Sequence, residues 1–259
     1  MYPQEARKDI RWRKIRMLIC IEGCIGVGKT TLVEQCIRLF DCMPVYEEPA
    51  RNPFLADFYQ AHDKRAYAQP LLYTFLFLQE RQLRQALPVA ERGHLVVCDF
   101  HPLKNLVFAR VLLEASEQAR LTELYQSLSI PQPDLVIYLK ADEPTILSRI
   151  RKKPDPYEPG LDFTFITQVA YAYETFFRSV YKGRTLAVDT SRLDYYERAQ
   201  DLHVPLQTIQ EALDLLPYLK AGPARMGQGW AQGAPPGRAS ARKRTLPVHQ
   251  GDERAPSSR

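Results

Sequence analysis

A stretch near the N-terminus, Ile19–Thr31 with the sequence ICIEGCIGVGKTT, constrains the fold of this chain most strongly. Part of it, Gly23–Thr30, fits the pattern G-x-x-x-x-G-K-[ST], in which glycines let the backbone approach phosphate oxygens without a Cβ in the way. Such a turn aims backbone N–H groups at an anion, and the following helix adds its positive N-terminal end. The stretch therefore predicts a loop that binds a nucleoside triphosphate.

The surroundings of the loop match what this motif requires. Met17–Glu22 is a short, mostly apolar run, as a buried parallel strand should be, and apolar residues recur at helical spacing after Thr31. Lys29 can reach the β- and γ-phosphates of the donor, and Thr30 can place its hydroxyl on Mg²⁺. The residues that we expect to contact the donor here are Gly23, Cys24, Ile25, Gly26, Val27, Gly28, Lys29, Thr30 and Thr31.

Five short apolar segments alternate with helical patterns over residues 17–220. This alternation is typical of a parallel sheet that is covered on both faces by helices. A long central helix is expected over Pro70–Leu87, and a last one over Pro205–Leu216 with its end at Pro217. The predicted strands are Met17–Glu22, Pro44–Glu48, Gly93–Asp99, Asp134–Lys140 and Thr185–Asp189.

The net charge of +5 comes from the two ends of the chain. Residues 1–16 form a basic extension, and residues 221–259, rich in Gly, Pro, Ala, Ser and Arg without periodicity, are predicted to be a disordered basic tail. The segment between them carries a net negative charge, so we expect no specific nucleic-acid partner for it.

Several features bear on the compartment. No apolar run approaches the ~18 residues of a membrane span, and the N-terminus has no apolar signal region. The cysteine count is odd, with no metal-binding spacing, which suits a reducing, cytoplasmic location. The cysteines are Cys20, Cys24, Cys36, Cys42 and Cys98.

An ordered set of stretches resembles the bacterial deoxynucleoside kinases of the deoxyguanosine/deoxyadenosine type. The loop resembles their IEG-x-IG-x-GKTT, NPFLADFY resembles NPYL-x-x-FY, and VVCDFHPLKNLVFAR resembles the segment after their third strand. Two later stretches, PDLVIYLKADEPTILSRI and YAYETFF, resemble the segments before and after their lid. The resemblance covers about residues 17–218.

This resemblance implies an α/β P-loop kinase fold, with a five-stranded parallel sheet, helices on both faces and a lid over about residues 149–160. It further implies ATP- and Mg²⁺-dependent phosphorylation of the 5′-hydroxyl of a deoxynucleoside, in nucleotide salvage. Deoxyadenosine or deoxyguanosine is the favoured acceptor, and a homodimer is expected from the same source.

Phosphoryl transfer to a hydroxyl needs a base, and the second predicted strand ends in two carboxylates, Glu47 and Glu48. Glu48 precedes Pro49 and resembles the family's base. If the strand continues to its end, the two side chains point in opposite directions, so one of them should be structural. The sequence favours Glu48 without excluding Glu47.

Other site residues are implied by the same resemblance. Asp99 ends an apolar strand, where a carboxylate would hold Mg²⁺ with Thr30 and face the acceptor. Arg149 is expected to be catalytic and to contact the donor phosphates from the lid, together with Arg151 and Lys153. The acceptor would contact Tyr59, Arg81 and Glu158.

Three positions depart from the family pattern. Phe100 stands where many members have Arg, so the positive charge must come from elsewhere, with His101 as one candidate. Thr74 replaces a base-reading Gln or Glu, and Asp155 replaces a lid Arg. The last two departures leave the preferred base open.

Two other functions are alternatives to the deoxynucleoside kinase hypothesis. Thymidylate kinases share the loop, but they carry Arg-Glu-Pro-Gly-Gly and Asp-Arg-Tyr/Phe runs where this chain has Glu-Glu-Pro-Ala-Arg and Asp-Phe-His. The absence of those phosphate-binding arginines favours an uncharged acceptor. A non-catalytic subunit with a kinase fold is disfavoured because Lys29, Thr30 and Asp99 are all present.

Overall fold

The apolar runs of the sequence form one parallel sheet in the computed structural model, which describes residues 16–152, 162–194 and 198–221. The strand order is β2-β3-β1-β4-β5, and all neighbours are parallel. The predicted α/β fold with five parallel strands is therefore confirmed. The strands are β1 (Met17–Glu22), β2 (Cys42–Val45), β3 (Leu95–Cys98), β4 (Leu135–Lys140) and β5 (Thr185–Asp189).

Helices cover both faces of the sheet because side chains alternate across it. On β1, Leu18 and Cys20 pack into a core shared with α2 to α7, while Met17, Ile19 and Ile21 pack with α1 and α8. The helices are α1 (Lys29–Leu39), α2 (Leu55–Gln60), α3 (Arg65–Glu91), α4 (Lys104–Leu112), α5 (Ala115–Ser127), α6 (Glu143–Lys152), α7 (Phe163–Ser179) and α8 (His203–Ala221).

Several elements differ from their predicted bounds, and three of the differences bear on the fold or the site. The second strand ends at Val45, so the two glutamates that follow it lie in a loop. The central helix is longer than predicted and runs through Pro70 and Pro88. The prediction that Pro217 ends the last helix is wrong, since α8 continues to Ala221. Leu213 and Leu216 are buried there, and this packing outweighs the single backbone hydrogen bond that a proline removes.

The strand order also brings distant parts of the chain together. β1 lies between β3 and β4, so the loop after β1 and the residue after β3 meet at the same edge of the sheet. In open parallel sheets, ligands bind in the crevice outside the carboxyl ends of the strands. The residues that follow β1, β2 and β3 therefore line one crevice.

The described residues up to Leu219 belong to one compact unit, and of a second unit, Lys220–Arg259, only residues 220 and 221 are described. All five cysteines lie in the described ranges and none is in a disulfide. Within those ranges, no helix combines the length and the apolar character that crossing a membrane requires. The basic extension before Arg16, lid residues 153–160 and the tail after residue 221 lie outside the described residues.

Candidate functional site

The loop between β1 and α1 has the backbone that the sequence pattern predicts. Gly28 is the N-cap of α1 and has a φ of 101°, a left-handed conformation that favours glycine. At Gly23, a Cβ would come within 2.3 Å of the backbone oxygen of Leu139 on β4, an atom that cannot move aside. The two glycines therefore set the turn and let the loop lie close to the sheet.

Lys29 is folded onto this loop. Its Nζ donates to the backbone oxygens of Gly23 at 2.9 Å and Cys24 at 3.0 Å. The lysine stands at the first position of α1, where the helix dipole also favours a negatively charged ligand. The loop thus presents one cation and a helix N-terminus in the same place.

Asp99 lies directly after β3 and joins two segments of the crevice. Its Oδ2 accepts a hydrogen bond from Thr30 Oγ1 at 3.1 Å, and its Oδ1 accepts one from the backbone N of Glu47 at 2.7 Å. Burial raises the pKa of Asp99, although the bond from Glu47 opposes the shift. The structure thus places Thr30 and Asp99 side by side, as the sequence predicts for a metal site.

This pair fits a hard cation such as Mg²⁺. Both side chains offer oxygen, and Mg²⁺ is usually held by one or two protein groups together with substrate phosphates and water. No cluster of three or more metal-binding side chains occurs within the described ranges. An ion held here would need the donor phosphates to complete its coordination.

The two candidate bases lie in different surroundings. Glu47 points into the crevice, where its Oε2 is 2.7 Å from Lys104 Nζ and its Oε1 accepts a hydrogen bond from Gln79 Nε2. Glu48 forms an ion pair with Arg51 at 2.9 Å, and its side chain is 41% exposed. The argument that favoured Glu48 assumed a strand that continues through both residues, whereas β2 ends at Val45.

Glu47 is consequently the better candidate for the base. Its backbone N is bound by Asp99 Oδ1, so the residue is attached to the carboxylate expected to hold the metal. Glu48 resembles the family's base only by its position before Pro49. The choice between them stays a prediction, and the geometry favours Glu47.

A buried carboxyl group that the sequence reasoning missed lies below the loop. Glu22, at the end of β1, is fully buried and accepts hydrogen bonds from His101 N, Gly23 N and Tyr173 Oη. Burial raises its pKa to about 7, although Lys104 and Lys29 nearby lower it. Its signal in the sequence was a charged residue at the end of an otherwise apolar strand.

His101 does not supply the charge that Phe100 lacks. The side chain is completely buried, and burial lowers its pKa to about 4. Nδ1 accepts a hydrogen bond from the backbone N of Leu103 at 3.1 Å, and Nε2 lies 3.3 Å from the backbone oxygen of Pro131. Nδ1 must be unprotonated to accept a hydrogen bond, so the imidazole is neutral. Both of its nitrogens contact backbone atoms.

This histidine should make the fold sensitive to acid. Below its unfolded-state pKa the unfolded chain binds a proton at this residue that the native chain does not, so the contribution of His101 to stability falls as the pH decreases from about 6.5 to 4. The raised pKa of Glu22 acts with the opposite sign, so the His101 effect is measured as the difference between variant and parent. We expect a loss of about 2 kcal/mol between pH 7 and pH 5 from this residue. In urea titrations, His101→Asn should reduce that pH dependence, while His94→Gln, at an exposed position, should retain it. Equal pH dependence in His101→Asn and the parent would contradict this assignment.

The basic end of α6 is engaged within the protein. The Arg149 guanidinium donates to the backbone oxygens of Val27, Thr190 and Leu193 at 2.6 to 3.0 Å, and also to the Thr190 hydroxyl. The side chain therefore connects the phosphate loop to the segment after β5. Arg151 lies over the ring of Phe163 at 4.7 Å.

These contacts favour a role for Arg149 in supporting the backbone of the loop, and the direct contact with the donor phosphates that the resemblance implies stays a prediction. Lys152 pairs with Asp194 at 3.2 Å. Lys153 and Glu158, which the sequence assigned to donor and acceptor, lie outside the described residues, as does Asp155.

The two described candidates for acceptor contacts, Tyr59 and Arg81, differ in their exposure. Tyr59 is buried on α2, with its ring edge-on to Phe58. Arg81 is exposed, and two positions further along an α-helix lie about 200° around the axis, so it points away from the side of α3 that carries the buried Gln79. The prediction that Arg81 lies near the acceptor therefore has no support from its position.

Two amides on α3 reach the crevice in its place. Gln79 contacts Glu47, and Gln82 Nε2 donates to the backbone oxygen of Tyr46 at 2.8 Å. Two charged residues of the same helix, Glu80 and Arg84, pair with each other. The available signal was the pair of amides at i and i+3, which lie on the same side of an α-helix.

Known proteins resemble this chain in sequence and in fold. The family model described as deoxynucleoside kinase matches residues 19–213. The chain is 30% identical over 190 residues to the deoxyguanosine kinase of Bacillus subtilis, which covers 71% of this chain and 91% of that one. It is 28% identical over 169 residues to the deoxyadenosine kinase of Dictyostelium discoideum, covering 62% and 67% of the two chains.

More distant similarity extends to nucleotide kinases and to solved structures. A probable thymidylate kinase of Methanocorpusculum labreanum is 26% identical over 208 residues, 78% of this chain and 99% of its own. The structure of deoxyadenosine kinase from M. mycoides with bound dATP has a TM-score of 0.64 at 21% identity, over 75% of this chain and 99% of that one, and it shares the fold. With a family model matched along most of its length, this chain belongs to the deoxynucleoside kinase family.

Proposed function

We propose that this kinase transfers the γ-phosphoryl group of ATP to the 5′-hydroxyl of a deoxynucleoside, with Mg²⁺, and that purine deoxynucleosides are its preferred acceptors. The observation that carries the proposal is the position of Glu47, bound through its backbone to Asp99, which in turn contacts Thr30 of the phosphate loop. A base, a metal-binding pair and a phosphate loop are the three parts that phosphoryl transfer to a hydroxyl requires.

Each part has a defined task in this proposal. The loop Gly23–Thr31 holds the triphosphate by backbone N–H groups, and Lys29 turns from its carbonyl partners toward the β- and γ-phosphates. Glu47 accepts the proton of the acceptor hydroxyl. When bound by Thr30 and Asp99, Mg²⁺ would neutralise charge on the donor phosphates. Arg149 keeps the loop in place through Val27.

The charges of the crevice favour a nucleoside over a nucleotide acceptor. Lys104 is paired with Glu47, Arg51 is paired with Glu48, and Arg81 lies on the outer side of α3. An acceptor phosphate would need a cation that is not already neutralised by a carboxylate. These three side chains do not meet that need, which argues against the thymidylate kinase alternative that some relatives suggest.

The remaining assignments are inferred from the relatives. The names of the Bacillus subtilis and Dictyostelium discoideum proteins support a purine deoxynucleoside. Homodimerisation follows from the family resemblance alone, and a cytosolic location from five cysteines without a disulfide. The Lys153 and Glu158 contacts stay predictions of the same kind.

A panel of acceptors tests this function. Deoxyadenosine, deoxyguanosine, deoxycytidine, thymidine, the matching ribonucleosides and dTMP are each incubated with ATP and Mg²⁺, and mono- and diphosphate products are separated. We expect monophosphates from the deoxynucleosides, with the highest kcat/KM for a purine. Product from dTMP together with none from any nucleoside would overturn the proposal.

A further inference from the structure

The family pattern leads us to expect a positively charged side chain at position 100, and this chain has none there. Residue 100, directly after Asp99, is a phenylalanine with no exposed surface. The neighbouring imidazole of His101 is neutral, as its hydrogen bond from Leu103 N requires. The base carboxylate of Glu47 must therefore find its positive partner elsewhere along the chain.

Lys104, in the first turn of α4, is that partner. Its Nζ lies 2.7 Å from Glu47 Oε2, and only 14% of its side chain is exposed. Burial by itself would lower the pKa of Lys104, but the charges of Glu47 and Glu22 outweigh burial and raise it above the usual range. The ammonium group is thus charged at neutral pH and held between the carboxylates of the crevice.

The other carboxylate oxygen of Glu47, Oε1, accepts a hydrogen bond from the side-chain amide of Gln79. A hydrogen bond from Asn105 determines the orientation of that amide. Asn105 Nδ2 donates to Gln79 Oε1 at 2.7 Å and to the backbone oxygen of Pro102 at 3.0 Å. The oxygen of Gln79 therefore faces Asn105, and its Nε2 faces Glu47 Oε1. Gln79 and Asn105 are both buried, so this orientation is protected from water.

We propose that Lys104 and Gln79 position Glu47 for proton transfer, one at each carboxylate oxygen, with Lys104 supplying the cation that Phe100 cannot. This inference rests on the proposed function, because it takes Glu47 as the base. It assigns roles in the site to residues at both ends of the run Asp99–Asn105. That run carries the metal carboxylate at its start and, at its end, both the lysine and the residue that orients Gln79.

Two-point binding has a physical consequence for catalysis. A carboxylate on a loop can rotate about three side-chain torsions, and a base displaced by about 1 Å can cost roughly 10²-fold in rate. With one donor on each oxygen, those torsions are restricted before the acceptor arrives. Both donors should therefore affect turnover more than acceptor binding.

The test compares Lys104→Met and Lys104→Arg with Lys182→Met, an exposed lysine whose Nζ bonds only the Ser179 backbone oxygen among the described residues. For Lys104→Met we expect kcat to fall between about 10-fold and 10²-fold with little change in KM for the deoxynucleoside. Lys104→Arg should recover most of the loss because it keeps a charged donor, and Lys182→Met should match the parent.

A double-variant cycle shows whether Lys104 acts through Glu47. If it does, the combination of Glu47→Gln and Lys104→Met should be no slower than Glu47→Gln alone. Additive losses would mean that Lys104 acts separately and would overturn the inference. Full turnover of Glu47→Gln would instead overturn the base assignment in the proposed function, so the two failures are distinguishable.

Folding is checked by thermal melts and by binding of a fluorescent ATP analogue. If Lys104→Met does not fold, Lys104→Arg and Gln79→Met decide the question. Gln79→Met keeps the volume but removes the donor to Glu47, and it should lower kcat with KM little changed. A folded Gln79→Met with the turnover of the parent, or a Lys104→Met that is folded and fully active, contradicts the proposal.

Discussion

Glu47→Gln should lower kcat for deoxynucleoside phosphorylation by about 10³-fold, within the 10²- to 10⁴-fold range that general-base catalysis contributes. The amide has nearly the same shape as the carboxylate, so the backbone bond from Glu47 N to Asp99 is retained. What is lost is the group that accepts the proton of the acceptor hydroxyl. The measurement is a steady-state assay with saturating ATP, Mg²⁺ and deoxynucleoside.

Glu48→Gln is the matched control, one residue further along the loop. Its side chain is 41% exposed and pairs with Arg51, an interaction of the kind that contributes little at a surface. We expect its kcat to stay close to that of the parent. Loss of turnover in Glu48→Gln with normal turnover in Glu47→Gln would restore the assignment that the sequence favours.

Asp99→Asn should lower kcat/KM by about 10²-fold and raise the Mg²⁺ concentration needed for half-maximal rate. The variant loses the negative charge that attracts the ion, but its amide oxygen can still accept the hydrogen bond from Glu47 N. The loop after β2 should therefore keep its position. A titration of activity with Mg²⁺ at constant ATP measures the effect.

The control for this variant is Asp189→Asn, which changes an aspartate at the end of another strand, β5. Asp189 pairs at 3.8 Å with Lys140 and is more than half exposed. Its replacement should leave the Mg²⁺ dependence unchanged. The metal assignment fails if Asp99→Asn shows the same Mg²⁺ dependence as the parent.

Much of the fold could be read from local patterns. The phosphate loop is a contiguous motif whose glycines are required by the conformation of its backbone. The buried strands β1, β3 and β4 are short apolar runs. The order of motifs was enough to identify the kinase family, and the comparisons confirm it. These features depend on residues close together in the chain, which is why sequence reasoning reached them.

The choice between Glu47 and Glu48 shows where local patterns stop being sufficient. Alternation assigns adjacent side chains to opposite faces only within a strand. Here the backbone hydrogen bonds beside β2 end with the one from Asp99 N to Val45 O. The backbone N of Glu47, two residues after Val45, donates instead to the Asp99 carboxylate. Whether a strand includes its last residues depends on its neighbour, which the sequence of the strand does not contain.

Lys104 and Gln79 were missed for a related reason. Each lies on a helix whose local pattern is ordinary, a lysine in the first turn of α4 and an amide among other polar residues of α3. Their contacts form because α3 and α4 pack beside the loop after β2. This packing brings two side chains, 32 and 57 positions away in the sequence, to the carboxylate of Glu47. No periodicity within a single element could indicate that contact.

The sequence by itself determined the kind of molecule, because the phosphate loop, the strands and the kinase motifs are each specified by neighbouring residues through backbone geometry and burial. The tertiary structure decided which glutamate pairs with Lys104, that Arg149 donates to the backbone of the phosphate loop, and that Arg81 is exposed on α3. Those outcomes depend on the packing of elements far apart in the chain, where burial forces every charge to find a partner.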